Sequence, residues 1–373
     1  MALITYLTTI RFGAGVLPEI AEDLLSLGMM RPLIVTDRGV AAAGLLERLF
    51  AALPRIVFDN VTSNPTEEAA TEAVAAFRRE RCDGVIGFGG GSPIDLAKAV
   101  ALLATHEGPL ARYAAIEGGV SLVNASVAPV IAVPTTAGTG SEVGRAALIN
   151  LSDGRKLGLI SPHLIPKRAI CDPELTIGLP PGLTAATGMD ALSHCIETFL
   201  SPRFNPPADA IALDGAGRIA RNLERAVADG SDAGARSEMM MGALQGGMCF
   251  QKGLGAVHGL SHALGSLKEP SLHHGTLNAV LLPPVLRFNE GHVGDKYARL
   301  ALAMGLAPDA DLADAIEALN ARMGLPGSLA AMGVPEAVVP EMAGKAERDH
   351  STPTNPRPVT AADYEAMMRG SLA

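Results

Sequence analysis

Short apolar runs alternate with stretches of helical periodicity through the first half of the chain. The apolar runs are rich in β-branched residues and predict strands at Leu33–Val35, Arg55–Phe58, Val85–Phe88 and Val130–Val133. Within Thr66–Arg79, the apolar residues Ala70, Val74 and Phe77 recur at the spacing of one helix face. This alternation predicts a Rossmann-like α/β domain, in which a parallel sheet carries helices on both faces.

The pattern changes before the middle of the chain. The less regular stretch Arg145–Asp172 predicts a β-hairpin that turns at Asp153-Gly154. From Thr184 onward the sequence is rich in Ala and Met, with breaks at Pro or Gly, and this pattern predicts helices. We therefore expect two domains, an α/β domain over residues 1–180 and an all-α domain over residues 181–373.

Composition and charge exclude several classes of protein. Hydrophobic residues make up 48% of the 373 residues and charged residues 18%, which suits packed cores rather than a disordered chain. No apolar run reaches the ~18 residues that span a membrane, and the first residues lack the pattern of a cleaved leader. The net charge of −9, without a Lys/Arg run, argues against nucleic acid as a partner. A cytoplasmic location is expected, because the cysteines show no disulfide spacing: Cys82, Cys171, Cys195 and Cys249.

A glycine-rich segment follows the predicted strand Val85–Phe88. Three glycines, Gly89 to Gly91, allow a ligand to approach the backbone, and a helix that begins there attracts phosphate with its free N–H groups. Ser92 is the predicted N-cap of that helix, with Pro93 in the first position and Asp95 as the acid of a capping box. A tight turn that binds nothing would explain the glycines equally well.

Two further segments support a dinucleotide. Asp37 follows the first predicted strand, where a carboxylate accepts hydrogen bonds from ribose hydroxyls and repels a 2′-phosphate, so that NAD is favoured over NADP. An aspartate that caps a helix is the alternative there. The loop Pro134–Val143 also follows a strand, and its hydroxyl and N–H groups suit a pyrophosphate or a ribose.

Histidines concentrate in the predicted helical domain. Five of the nine lie between residues 194 and 274. Asp190 and His194 are four residues apart, as are His258 and His262, so each pair projects from one face of a helix. Imidazole and carboxylate groups together suit Fe(II) or Zn(II). Hydrogen-bonded pairs that bridge helices without a metal remain the alternative.

Five segments in this order resemble the iron-containing (group III) alcohol dehydrogenases: GGGSPIDLAKA, PTTAGTGSEV, TGMDALSHCIE, GLGAVHGLSHALG and HHGTLNAVLLP. The resemblance implies a dehydroquinate synthase-like fold and a bound Fe(II), with Zn(II) as the alternative. It implies four metal ligands, Asp190, His194, His258 and His274, and a catalytic histidine, His262. It also implies cofactor contacts at Asp37, Asn64, Gly90, Gly91, Ser92, Asp95, Thr135, Thr136 and Thr139.

The chain departs from the family pattern at one point. The interval between His258 and His274 is two residues longer than expected for many members, so that His273 competes with His274 as the fourth ligand. His274 is preferred, because the ligand in the family directly precedes a glycine, here Gly275.

A narrower resemblance, to bacterial 4-hydroxybutyrate dehydrogenases within the family, implies hydride transfer between that primary alcohol and NAD. A carboxylate substrate needs a cationic partner, and Phe250 is a candidate for the pocket wall. The candidate cations are Arg145, Lys252 and Lys268. A homodimer is expected.

Three other functions compete with this one. The first is a general short-chain primary-alcohol dehydrogenase. The second is a sugar-phosphate cyclase similar to dehydroquinate synthase, which the apolar segments around the histidines disfavour. The third is a binding protein that has lost catalysis, for which the sequence shows no missing ligand or glycine.

Overall fold

A computed structural model describes residues 8–50, 53 and 55–372. They form two compact units, one of residues 8–136 with Gly140–Gly178 and the other of Ala137–Thr139 with residues 179–372. None of the helices in these ranges is both long and apolar enough to cross a membrane.

The first unit is built on a six-stranded parallel sheet and a separate two-stranded hairpin. The strands are β1 (Thr9–Phe12), β2 (Pro32–Val35), β3 (Val57–Phe58), β4 (Gly84–Gly89), β5 (Val130–Pro134), β6 (Ala146–Asn150), β7 (Lys156–Ile160) and β8 (Arg168–Cys171). The large sheet has the order β1-β8-β5-β4-β2-β3, and β6 pairs with β7 in antiparallel fashion. The parallel sheet and the hairpin are therefore confirmed.

Along the strands, successive side chains alternate between two hydrophobic cores, one on each face of the sheet. Leu33 and Val35 of β2 lie in one cluster, whereas Ile34 lies in the other with Ile86 of β4. The helices of this unit cover both faces: α1 (Ile20–Leu27), α2 (Arg38–Ala42), α3 (Leu45–Phe50), α4 (Glu67–Arg79) and α5 (Gly91–Thr105). The predicted helix within Thr66–Arg79 is α4, and Thr66 caps it by accepting a hydrogen bond from the N–H of Ala69.

The chain direction reverses across the sheet between β2 and β4. From β2 the chain proceeds to the edge strand β3, and from β4 it proceeds the other way to β5. Ligands of open parallel sheets bind beyond the carboxyl ends of the strands at such a switch point. Asp37 follows β2, and Gly90 follows β4, so the fold brings both to this position.

The predicted start of α5 was wrong by two residues. Gly90, not Ser92, is the N-cap, and the Ser92 hydroxyl donates to the carbonyl of Ser63 at 2.7 Å. Asp95 is not part of a capping box, because its carboxylate accepts hydrogen bonds from the Ser141 hydroxyl and the Leu148 N–H. Gly89, with a φ of 152°, ends the strand in a conformation that L side chains rarely adopt, and the helix starts directly after it.

The second unit is helical, as the sequence predicted. Its helices are α6 (Pro181–Leu200), α7 (Pro206–Ala228), α8 (Ala233–Cys249), α9 (Ala256–Leu264), α10 (His274–Asn289), α11 (Lys296–Ala303), α12 (Leu312–Arg322), α13 (Val339–Glu347) and α14 (Ala361–Gly370). Pro181 occupies the first position of α6, where the missing N–H of proline costs nothing. From Thr184 to Leu200 every side chain of α6 is buried, so this helix forms the centre of the unit.

Candidate metal and cofactor sites

The buried helix α6 presents three polar side chains on one face. Asp190, His194 and Glu197 are spaced four and three residues apart and lie 2%, 5% and 4% exposed. Such a spacing places all three on the same side of a helix. Burial of this much polar surface is unfavourable unless each group has a partner, and the partners come from α9 and α10.

Three imidazoles surround one oxygen of Asp190. Its Oδ1 lies 3.7 Å from Nε2 of His194, 3.8 Å from Nε2 of His258 and 3.6 Å from Nε2 of His274. Ligand atoms in a tetrahedron at ~2.1 Å from one ion lie about 3.4 Å apart. The donor chemistry of the four side chains suits a divalent metal, and the ligand atoms of Asp190, His194 and His258 all lie within 4.8 Å of one another. His274 approaches the same carboxylate oxygen from α10.

Glu197 determines which nitrogen of His258 carries the proton. Nδ1 of His258 is hydrogen-bonded to Oε2 of Glu197. A carboxylate can only accept, so Nδ1 is the donor, and in the neutral ring, the form that binds a metal, Nε2 carries the lone pair. The other oxygen of Glu197 accepts from the N–H of Val257 at 2.7 Å, in the first turn of α9. Glu197 thus positions both the helix and the imidazole.

The charges of the cluster support one another. Burial alone would raise the pKa of Asp190, but the imidazoles of His194, His274 and His258 outweigh it and hold that pKa far below its usual range. Burial lowers the pKa of His194 to about 4, against the attraction of Asp190. Burial also opposes the charge on His258, yet Glu197 and Asp190 together raise its pKa to about 9. A buried carboxylate with imidazoles arranged around it is a strong local attraction for a cation.

Asn278 is a polar neighbour of the cluster that sequence reasoning missed. It lies on α10 four residues after His274, and its Nδ2 donates to Oδ1 of Asp190 at 2.7 Å. The same nitrogen is 3.4 Å from Nε2 of His258 and 3.3 Å from Nε2 of His274. The amide of Asn278 orients the carboxylate of Asp190. The sequence could have pointed to Asn278, because it follows the candidate ligand His274 by four residues and so lies on the same helix face.

His262 lies beside the cluster with its own carboxylate partner. Its ring is stacked on that of His274, with centroids 5.4 Å apart. Nδ1 is 3.0 Å from Oδ2 of Asp349, so Nδ1 carries the proton and Nε2 is left as a proton acceptor. Glu197 and Asp349 were both missed as functional residues. Glu197 could have been found from its place on the face of His194, whereas Asp349 comes from a distant segment that no local spacing reveals.

The structure separates His273 from His274. His273 is the N-cap of α10, and its Nδ1 accepts from the N–H of Thr276 at 3.4 Å, whereas His274 reaches Asp190. Gly275 brings α10 against α6, since a Cβ there would lie 2.2 Å from the carbonyl oxygen of Ala186.

The residues considered for substrate binding differ in their surroundings. The Phe250 ring lies 5.4 Å from that of His194, beside the candidate metal ligands. Lys252 is only 2% exposed, and its ammonium pairs with Asp209 and donates to the carbonyl of Phe199, so its charge is already balanced. Lys268 is exposed in the same unit, and Arg145 is exposed in the α/β unit.

Within the α/β unit, two loops meet at the switch point of the sheet. The N–H of Thr135 donates to the carbonyl of Gly89 at 2.9 Å, and a Cβ on Gly90 would lie 3.4 Å from the side chain of Thr136. Asp37 caps α2 by accepting from Val40 at 2.9 Å, and its other oxygen would lie 3.4 Å from a Cβ on Gly89. The carboxylate therefore stands at the glycine-rich turn.

Some of the remaining cofactor candidates are hydrogen-bonded to other groups of the protein. Oδ1 of Asn64 accepts from Nζ of Lys156 at 3.1 Å, and both oxygens of Asp95 are bonded within the α/β unit. Gly91 is the first residue of α5, in the turn that leaves N–H groups open to a phosphate. Thr139 belongs to the helical unit rather than to the α/β unit.

Comparison with known proteins agrees with this geometry. The family model described as "Iron-containing alcohol dehydrogenase" matches residues 8–173, and that described as "Fe-containing alcohol dehydrogenase family, C-terminal" matches residues 184–372. The chain is 53% identical to a 4-hydroxybutyrate dehydrogenase of Cupriavidus necator, over all of both chains.

Solved structures extend the likeness to the whole fold. A crystal structure of 1,3-propanediol oxidoreductase is 38% identical, with a TM-score of 0.93 over 99% of this chain and 100% of that one. A sulfoacetaldehyde reductase of Bifidobacterium kashiwanohense, solved with NAD+, is 29% identical, with a TM-score of 0.89 over all of both chains. With its parallel sheet, its helical unit and an aspartate ringed by three histidines, the chain belongs to the iron-containing alcohol dehydrogenase family.

Proposed function

We propose that this alcohol dehydrogenase uses NAD and Fe(II) to interconvert 4-hydroxybutyrate and succinate semialdehyde. The ring of three imidazoles around Oδ1 of Asp190 supports the metal, and the 53% identity to a 4-hydroxybutyrate dehydrogenase supports the substrate. Asp190, His194, His258 and His274 would hold the ion, for which Zn(II) is the alternative. We also propose a homodimer, which analytical ultracentrifugation would test.

The residues around the reacting alcohol have separate tasks. When bound, the metal would supply a Lewis acid for the alcohol oxygen, and NAD would supply the hydride acceptor. Glu197 holds the proton of His258 on Nδ1, so that Nε2 is the nitrogen that would bind the metal, and Asp349 holds the proton of His262 on Nδ1, so that Nε2 would accept the proton that leaves the hydroxyl. Phe250, packed beside His194, would exclude water from this part of the site.

Preference for NAD is proposed from the position of Asp37. Its carboxylate stands at the end of β2 beside Gly89 and is held there by the N–H of Val40. A fixed negative charge accepts hydrogen bonds from the ribose hydroxyls and repels the 2′-phosphate of NADP.

The substrate carboxylate requires a positive charge, and two of the three sequence candidates remain. Lys252 is occupied by Asp209, whereas Lys268 and Arg145 are exposed. Lys268 lies in the loop that connects α9 to α10, between two helices that carry candidate ligands. We therefore propose Lys268 as the first candidate, and Arg145 as the second, for the residue that binds the substrate carboxylate.

A comparison of two alcohols tests the substrate. 4-Hydroxybutyrate and 1-butanol have similar length, but only the first carries a carboxylate. A charge-assisted hydrogen bond contributes ~1.5–3 kcal/mol, so kcat/KM should favour 4-hydroxybutyrate by roughly one to two decades. Lys268→Gln should remove most of this preference, whereas Lys167→Gln, an exposed lysine of the other unit, should retain it. Equal efficiency with both alcohols would instead indicate a general primary-alcohol dehydrogenase.

Metal analysis tests the centre itself. The purified protein should contain or require one divalent ion per chain, and His258→Ala should lose it together with activity. Full metal content in that variant would refute the ligand assignment. Steady production of NADH from a simple alcohol separates this function from a sugar-phosphate cyclase, which regenerates its NAD in every turnover.

A further inference from the structure

A second group of metal-binding side chains lies next to the principal cluster. His262, Asp349 and His350 each offer one ligand atom, and these atoms all lie within 4.8 Å of one another. His262 comes from α9, while Asp349 and His350 follow α13. None of the three belongs to the four candidate ligands around Asp190.

We propose that these three residues form a second, inhibitory binding site for Zn(II) or a chemically similar transition-metal ion. Its effect on catalysis rests on the proposed role of His262, but the site itself does not. Two imidazoles and a carboxylate are the ligand set that such ions prefer, with open positions left for water.

The geometry centres on one carboxylate that both histidines approach through Nδ1. Nδ1 of His262 is 3.0 Å from Oδ2 of Asp349, and Nδ1 of His350 is 3.6 Å from Oδ1. The two rings are stacked, 5.4 Å apart and 16° from parallel. Asp349 is held in place by the N–H of Ser351, which donates to Oδ1 at 2.8 Å. The pair of imidazoles thus faces a fixed anion from one side.

The three side chains form a graded path to solvent. The exposed fraction rises from 5% for His262 to 12% for Asp349 and 29% for His350. Ligand atoms on one ion at ~2.1 Å can be no more than about 4.2 Å apart. Since the ligand atoms lie within 4.8 Å of one another, at most a slight contraction would bring them to one ion, and the partly exposed His350 is the side chain that could move most easily.

Charge favours a cation at this position. Burial would raise the pKa of Asp349, but His262 and His350 outweigh it and hold the pKa below its usual range, so the carboxylate is an anion. The anion would balance part of the charge of a divalent ion bound to the Nδ1 atoms of the two neutral imidazoles.

Binding there would switch off the proton acceptor. An ion on Nδ1 of His262 requires the neutral ring to carry its proton on Nε2 instead. Nε2 could then no longer accept the proton of the alcohol. Excess zinc should consequently inhibit the enzyme without displacing the ion at the principal cluster.

Equilibrium dialysis of the metal-loaded enzyme against increasing free Zn(II) tests the site. We expect the wild type to bind a second ion per chain and His350→Ala to bind it at least about tenfold more weakly, because one of three ligands is lost. His292→Ala is the matched control, since it removes an exposed histidine elsewhere in the helical unit and should keep the second ion. Mg(II), which prefers oxygen ligands, should not fill the site.

Two results would overturn the proposal. One is a wild type that binds no second ion at any zinc concentration at which it stays in solution. The other is a second ion that His350→Ala binds as tightly as the wild type. Failure of the proposed function would look different, because a missing first ion or absent dehydrogenase activity leaves the difference between wild type and His350→Ala unchanged. Inhibition by zinc should follow occupancy of the second site and be weakened at least about tenfold in His350→Ala.

Discussion

Replacement of Glu197 by glutamine tests whether one carboxylate controls the tautomer of a metal ligand. Glu197 accepts two hydrogen bonds, from Nδ1 of His258 and from the N–H of Val257. A glutamine offers only one oxygen, so its NH₂ group must face one of these two donors. The clash between two donors is relieved if the neutral His258 ring carries its proton on Nε2 instead of Nδ1. Nε2, which faces Asp190, then has no lone pair for a metal.

The expected loss can be estimated from the hydrogen bond that changes. A hydrogen bond to a charged group contributes about 1.5–3 kcal/mol, which corresponds to roughly one to two decades in an equilibrium constant. Partners of metal-bound histidines generally contribute about 10–100-fold to metal affinity. We therefore expect Glu197→Gln to weaken the binding of Zn(II) or Co(II) by about 10–100-fold.

Competition with a chromophoric chelator measures this affinity directly. Glu224→Gln is the matched control, because Glu224 pairs with Arg322 at the surface of the same unit. Its loss should change stability by less than about 1 kcal/mol and leave metal affinity unchanged. An affinity in Glu197→Gln within twofold of the wild type, in a protein that still folds, would show that Glu197 has only a structural role.

Three further predictions address packing, cofactor preference and proton transfer. Gly275→Ala should destabilise the protein by at least ~1–3 kcal/mol and weaken metal binding, because its Cβ would lie 2.2 Å from the Ala186 carbonyl oxygen. Gly182→Ala is the control, since its Cβ would meet open space, and it should stabilise α6 by about 0.5–1 kcal/mol. Thermal unfolding of the two variants measures both changes. Asp37→Gly should narrow the preference for NAD over NADP, and a wild type that works better with NADP at equal concentration would contradict this. Asp349→Asn should lower kcat by roughly 10²-fold or more, with little change in KM, when the principal site is loaded and excess free metal is removed. A normal kcat would exclude any role in holding the tautomer of the neighbouring histidine.

Local patterns predicted the elements that depend on local physics. The helix α4 was predicted from its apolar face, and the hairpin β6–β7 from the turn at Asp153-Gly154. The strands β1 and β8 were missed, because each has only four residues and one of them is an arginine. Both arginines are accommodated by Asp23, which accepts from Arg11 at 2.8 Å and from Arg168 at 3.0 Å. These ion pairs are tertiary contacts, so they cannot be predicted from the sequences of the two strands.

The same division applies to the candidate site. Helical spacing alone predicted that Asp190 and His194 lie on one face of a helix. The structure agrees, because Oδ1 of Asp190 lies 3.7 Å from Nε2 of His194. Lys252 was named as a candidate cation, but nothing in the sequence indicated that it is buried and paired with Asp209 of α7. Asp349 was overlooked for the same reason, since it approaches His262 from a segment 87 residues away.

The short helix α9 shows how one element can supply two histidines with different tasks. His258 and His262 project from one face, and each donates from Nδ1 to a carboxylate, Glu197 in one case and Asp349 in the other. In the neutral form both rings therefore carry the proton on Nδ1 and the lone pair on Nε2. Their surroundings differ, because Nε2 of His258 lies 3.8 Å from Asp190 and so beside a buried negative charge that attracts a metal ion. A helix whose first turn is fixed by Glu197 holds both lone pairs in place at once, so displacement of α9 should impair metal binding and proton transfer together.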